Sequence, residues 1–149
     1  MYLVELLYES LIDTSWISLY EWYPAYAVVL DIAIAAGDVV RVTITATSTT
    51  TGTVVVENVT TGQTVTKNVS SSYPLCEENA EWIVEDYEEN GELVPFTDFG
   101  TVTFTNAYAT TTSGSQITPD GATIIDIEQN GKVLTSVTES SSGVTISYQ

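Results

Sequence analysis

The chain has 149 residues, 44% of them apolar and 15% charged, which suits one domain with a sizeable core rather than a disordered segment. Twenty acidic residues face three basic ones (Arg41, Lys67 and Lys132), a net charge of -17 that repels nucleic acid and anionic membrane surfaces. There is no His and only one Cys, Cys76, which excludes His-based triads, His or Cys-rich metal sites and an internal disulfide.

The first eighteen residues, MYLVELLYESLIDTSWIS, stand apart. Leu3, Leu6, Leu7 and Leu11 recur at helical spacing, while Glu5, Glu9 and Asp13 interrupt the apolar run and no basic start precedes it, so the stretch makes a poor signal peptide. No run reaches the roughly 18 apolar residues of a membrane-spanning helix. Residues 1–19 are therefore an atypical N-terminal segment, and 20–149 the domain proper.

From there the pattern is one of short β-branched runs separated by turn residues, predicting an all-β, antiparallel two-sheet sandwich. YEWYPAY, residues 20–26, sets Glu21 among Tyr20, Trp22, Tyr23 and Tyr26. Asp38 to Thr47 alternates, with Val40, Val42, Ile44 and Ala46 on one face. Thr53 to Glu57 and Thr64 to Val69 flank NVTTGQ, where Gly62 can supply a positive φ. Two glycosylation sequons, Asn58-Val59-Thr60 and Asn68-Val69-Ser70, carry meaning only in a secreted chain. Thr101 to Thr105 places Val102 and Phe104 together. Ala122 to Gln129 and Lys132 to Thr138 bracket Asn130-Gly131, a strong hairpin signal, and a final strand, VTISY, follows SSSG at 140–143.

Two places could carry chemistry. In AEWIVEDYEENGELVPF, residues 80–96, strand geometry puts Glu81, Ile83, Glu85 and Tyr87 on one face and Trp82, Val84 and Asp86 on the other. Eight of the 20 acidic residues lie between Glu77 and Glu92. Crowding and partial burial should raise at least one pKa, giving a general acid or base usable in acid; an acidic, solvated edge strand is the plainer alternative. The aromatics around Glu21 suit a cleft wall that stacks on peptide or sugar, and equally a core corner. Pro24 belongs at an edge or a strand end.

YEWYP at 20–24, TATSTTTGTVVVENVTTGQTVTK at 45–67 and NAEWIVEDYEENGELVPFTDFGTVTFTNA at 79–107 resemble the eqolisins, the glutamic peptidases of fungi. The resemblance runs in order from Tyr20 to the C-terminus, the last two-thirds of a mature family domain. It implies a lectin-type β-sandwich and an acid-acting, secreted endopeptidase, without metal or other cofactor, whose substrate is protein or peptide. It also implies a Glu–Gln dyad in which Glu is general base on a water and a Gln amide steadies the oxyanion. The catalytic Glu falls on Glu85, and Glu21 takes a supporting role, with Trp22 and Tyr23 beside it as substrate-binding residues. A Gln amide donates without titrating, so such a dyad works in acid where a His would be locked as a cation.

The family's catalytic Gln precedes YEWYP, in a Gln-Thr-Gly step; here Gln63, Gln116, Gln129 and Gln149 all follow it, and Gln63 corresponds to a non-catalytic Gln. Leu19 stands where relatives carry Trp, and Cys76 lacks the partner some of them provide. The expectation is a chain missing the N-terminal third of the domain, from a truncated or misassigned start or as a degenerate copy, with the Gln half of the dyad absent. A non-catalytic sandwich module binding peptide or glycan is the alternative, and a product without function a third.

Overall fold

The computed structural model describes residues 18–89 and 91–149, and the helical spacing noted near the N-terminus lies outside them. The described residues contain strands and turns and no helix, and the chain divides into two compact units, one ending at Asn79 and the other running from Ala80 to Gln149.

In the first unit, β1 (Ser18–Tyr20) pairs antiparallel with β2 (Val28–Leu30). The strand takes in Ser18 and Leu19, so regular structure begins before the boundary expected at Tyr20. β3 (Val40–Ser48), β4 (Thr51–Asn58) and β5 (Gln63–Ser70) form an antiparallel sheet in that order. All three follow the alternating runs of the sequence to within two residues. β4 is central and its alternation is strict: Gly52, Val54, Val56 and Asn58 are buried and the residues between them are not. Val54 and Val56 are wholly inaccessible and pack with Trp22, Leu30, Ile32 and Val69, flanked by Tyr20, Ile34, Val40, Val65 and Leu75. On β3 the register sets Val42 opposite Val56 and Ile44 opposite Val54, yet both remain exposed, because β3 has a neighbour on one side only among the described residues. The β4–β5 turn closes as expected, with Gly62 at φ 77° donating its N–H to the Asn58 carbonyl at 2.8 Å.

The second unit contains three short hairpins and one three-stranded sheet. β6 (Glu88–Glu89) pairs with β7 (Glu92–Leu93), β9 (Ala109–Thr110) with β10 (Gln116–Ile117), and β11 (Glu128–Gln129) with β12 (Lys132–Val133). β8 (Thr101–Thr105) joins β13 (Thr135–Ser140) and β14 (Gly143–Tyr148) in the order β13-β14-β8. Val144 opposes Phe104 and Ile146 opposes Val102, so the face read from Val102 and Phe104 is the apolar one. Asn130 and Gly131 both have positive φ, 53° and 76°, the signature of the two-residue turn that Asn-Gly announces. The strands around it are shorter than the sequence suggested: residues 122–127 are irregular, and Leu134 interrupts the stretch from Lys132 to Thr138. Ser140 pairs with Gly143 across the last tight turn, and a Cβ on Gly143 would collide with the Phe104 carbonyl oxygen of the neighbouring strand.

The two faces of β4 lead to unequal mutational costs. Val54→Ala should lower stability by about 2–3 kcal/mol, through lost burial and the cavity left behind, while Val55→Ala on the other face should cost under about 1 kcal/mol. Urea unfolding of the two variants beside the parent chain measures both.

Candidate active site

Glu85 lies in the second unit, on the stretch that leads into the β6–β7 hairpin. Residues 80–87 belong to no strand, but their burial alternates as the sequence pattern required: Trp82, Val84 and Asp86 are half-buried, and Glu81, Ile83 and Glu85 are exposed. Tyr87 departs from the alternation and is half-buried; its carbonyl accepts from the Val94 N–H at 3.1 Å where the hairpin closes.

Two attachments hold this stretch. Gln129, at the end of β11, donates from Nε2 to Asp86 Oδ1 at 2.9 Å and to the Val94 carbonyl at 3.1 Å. One amide thus ties both sides of the hairpin base, immediately after Glu85. Phe96, of the LVPF step, stacks on Tyr148 of β14 with centroids 6.1 Å apart, and Phe99 meets both rings edge-on at 5.7 and 6.2 Å. Both attachments lie on the C-terminal side of Glu85, the nearer of them at the adjacent residue, Asp86.

Burial pushes the Glu85 carboxyl above its ordinary pKa of 4.5. The residue as a whole is exposed, but enough chain surrounds the carboxyl to strip part of its hydration, which disfavours the charged form. The sequence suggested that neighbouring acids would contribute; the cause is desolvation instead. Among the described residues the Glu85 carboxyl has no hydrogen-bond partner, so its oxygens are free to accept from water or a ligand. The Gln129 amide is committed to Asp86, on the opposite side of the alternation. Forty-three positions separate that pair, and sequence reading passed over Gln129 because no local pattern marks so distant a contact.

The YEWYP stretch lies in the first unit. Trp22 is 4% exposed, sits in the apolar cluster and donates its indole N–H to the Tyr73 carbonyl at 2.8 Å. Its ring fills a core corner, one of the two placements open to it, and is not presented as a binding surface. Glu21 is half-buried and Tyr23 is 57% exposed, at a bend closed by the Ala25 N–H on the Trp22 carbonyl at 2.8 Å. Cys76 is an exposed free thiol. Among the described residues no group of three or more His, Cys, Asp or Glu side chains could hold a metal ion, and no helix is long and apolar enough to cross a membrane.

The described chain is thus all-β, with a partly desolvated carboxyl at Glu85 immediately before a hairpin base tied by Gln129. The model of the Peptidase A4 family matches residues 8–148, and the chain belongs to that family. Aspergillopepsin-2 of Aspergillus niger is 51% identical over 139 residues, covering 91% of this chain and 49% of that protein. Scytalidopepsin B of Scytalidium lignicola is 40% identical over 146 residues, covering 91% and 56%. The chain therefore spans about half the length of the curated relatives it matches. The crystal structure of aspergilloglutamic peptidase from Aspergillus niger superimposes with a TM-score of 0.86 at 51% identity, over 96% of this chain and 85% of that one. Scytalidoglutamic peptidase bound to a peptide-based transition-state analogue gives 0.83 at 38% identity, over 92% and 71%. These likenesses assign the antiparallel sheets to the β-sandwich of the eqolisins. The family match begins at residue 8, inside the stretch that looked foreign to the domain.

Two stability experiments follow from the geometry. A carboxyl whose folded pKa is raised opposes folding when ionised, and the penalty disappears as pH falls through the raised value. Glu85→Gln should therefore raise the melting temperature at neutral pH and leave it unchanged in acid below the ordinary carboxylate range. Gln129→Glu places a second carboxylate against Asp86 and removes both donated bonds; it should cost about 1–3 kcal/mol at neutral pH, with partial recovery in acid. Calorimetry at the two pH values reads both effects.

Proposed function

We propose that this chain carries the general-base half of an acid-acting glutamic endopeptidase. The observation that carries the reading is Glu85: a solvent-reachable carboxyl, free of partners and raised in pKa by desolvation, at the position the eqolisin resemblance assigns to the base. Glu85 would take a proton from a water as that water attacks a substrate's peptide carbonyl, and a base tuned upward retains a useful driving force in acid. The developing oxyanion needs a preorganised donor. By the same resemblance this is a Gln amide from sequence outside these 149 residues, since each Gln here follows the YEWYP step.

The substrate is protein or peptide, in keeping with the peptide-based analogue bound by scytalidoglutamic peptidase and with the tripeptide Ala-Ile-His in another structure of that family. By the same resemblance Glu21 takes a supporting role; Tyr23 offers an exposed ring for substrate contact, and Trp22 acts by shaping the bend that carries them. The reading makes the chain a secreted one, working where its 20 acidic residues are partly neutralised.

The test is cleavage of denatured serum albumin by the purified chain, from strongly acid to neutral solution, beside Glu85→Gln. Acid cleavage that disappears in the variant supports the assignment; acid cleavage that survives removes Glu85 from the mechanism. If the folded chain is silent, the same pair is compared with the N-terminal segment of aspergillopepsin-2 fused in front. Activity there should again depend on Glu85.

A further inference from the structure

The two sequons, Asn-Val-Thr at 58–60 and Asn-Val-Ser at 68–70, share one pattern but differ in what surrounds them. Asn58, the last residue of β4, is 0% exposed. Its Nδ2 donates to the Ala33 carbonyl at 2.9 Å and to Asp38 Oδ2 at 2.7 Å, and its Oδ1 accepts from the Thr61 N–H at 3.1 Å. Thr60, the hydroxyl residue of that sequon, accepts from the Val39 N–H at 2.9 Å. The whole sequon is thus consumed in fastening the β4–β5 turn to the chain before β3. A glycan on Asn58 would displace these bonds, leaving the Ala33 carbonyl without the Asn58 amide and Asp38 Oδ2 with only the Ala35 N–H at 2.9 Å.

Asn68 is the opposite case. It lies near the end of β5, at an edge of the sheet among the described residues, with an exposed side chain that takes no hydrogen bond from any of them, followed two residues on by exposed Ser70. Alternation puts it on the face carrying Thr64, Thr66 and Ser70, all exposed, while Val65 and Val69 turn toward the core. Its partner across the ladder is Thr53; the same face of β4 and β3 carries Thr51, Val55, Glu57, Arg41, Thr43 and Thr45. A hydrophilic chain rooted there meets a mainly polar, Thr-rich surface in which Val55 is the one apolar member.

We propose that Asn68 is an N-glycosylation site of this protein and that Asn58 stays unmodified in the folded chain. The inference rests on the reading of the chain as secreted. In the transfer, Asn68 Nδ2 attacks the anomeric carbon of a lipid-diphosphate-linked oligosaccharide. The new N–C bond forms as the bond from that carbon to the diphosphate oxygen breaks. One amide proton passes to the transferase, and the lipid diphosphate leaves. The bulky, solvated glycan then covers an edge strand, where an unpaired row of backbone groups otherwise invites association.

The experiment translates the full chain behind a cleavable secretion signal in the presence of microsomes, scoring only protease-protected product. Entry into the secretory pathway is supplied by the signal, so the outcome does not depend on whether the native chain is exported; that question is answered separately by locating the native chain in culture medium. The expected result is a single mobility step, reversed by an endoglycosidase, lost in Asn68→Gln and in Ser70→Ala, and retained in Thr60→Ala. Peptide mass spectrometry should place the glycan on Asn68. Protected chain with no glycan at Asn68, or soluble folded chain glycosylated at Asn58, overturns the proposal. Asn68→Gln lies on an exposed face and keeps the fold, which its unchanged urea midpoint would certify.

Discussion

Alternation of side chains across an extended chain is the constraint on which the rest of this molecule depends. β4 expresses it most fully: Val54 and Val56 are driven out of water while Thr53, Val55 and Glu57 face the other way. Once those two valines are committed, Trp22, Leu30, Ile32 and Val69 must close over them, and the polar sides of β3 and β5 are left to solvent. Asn58 falls on the buried side by the same rule. A polar side chain in that place is tolerable only because its amide is bonded to Asp38, Ala33 and Thr61.

The same rule governs the stretch around Glu85 in the second unit. Trp82, Val84 and Asp86 turn one way and Glu85 the other. Asp86 is held by the Gln129 amide, and Phe96 by the ring of Tyr148, so Glu85 is fixed by its neighbours rather than by bonds of its own. That is a suitable arrangement for a base. A carboxylate bound by donors is stabilised in its charged form and made weaker, whereas one merely deprived of water becomes more basic. The large acidic excess has little part in this. Among the described residues the one ion pair, Arg41 to Glu57 at 2.7 Å, lies on the exposed face of the first unit and contributes little to stability.

What could be read before folding was what depends on neighbours in sequence. The Asn130-Gly131 turn, the Gly62 turn, the strands β3, β4 and β5 and the shared face of Val102 and Phe104 are all local in origin, and the eqolisin signature around Glu85 is a contiguous string. The strands near residues 122–127 and 132–138 were read too long, because β-branched content marks a capacity for pairing and not the presence of a partner. Trp22 illustrates the limit at the site. Its sequence neighbourhood fits a binding wall or a core corner equally well, and its hydrogen bond to the Tyr73 carbonyl, 51 residues away, decides between them.

The sequence by itself determined the fold class and the family, and it singled out Glu85 as the candidate base, since periodicity and a contiguous motif are properties of the chain before it folds. Tertiary structure alone decided that Glu85 is raised by loss of water rather than by the acids beside it, and that Gln129 is spent on Asp86. It alone separated two sequons of the same pattern, one sealed in a turn and one open on an edge strand. Desolvation and hydrogen bonding depend on atoms brought together from distant positions, and no local arrangement of residues encodes which of them will meet.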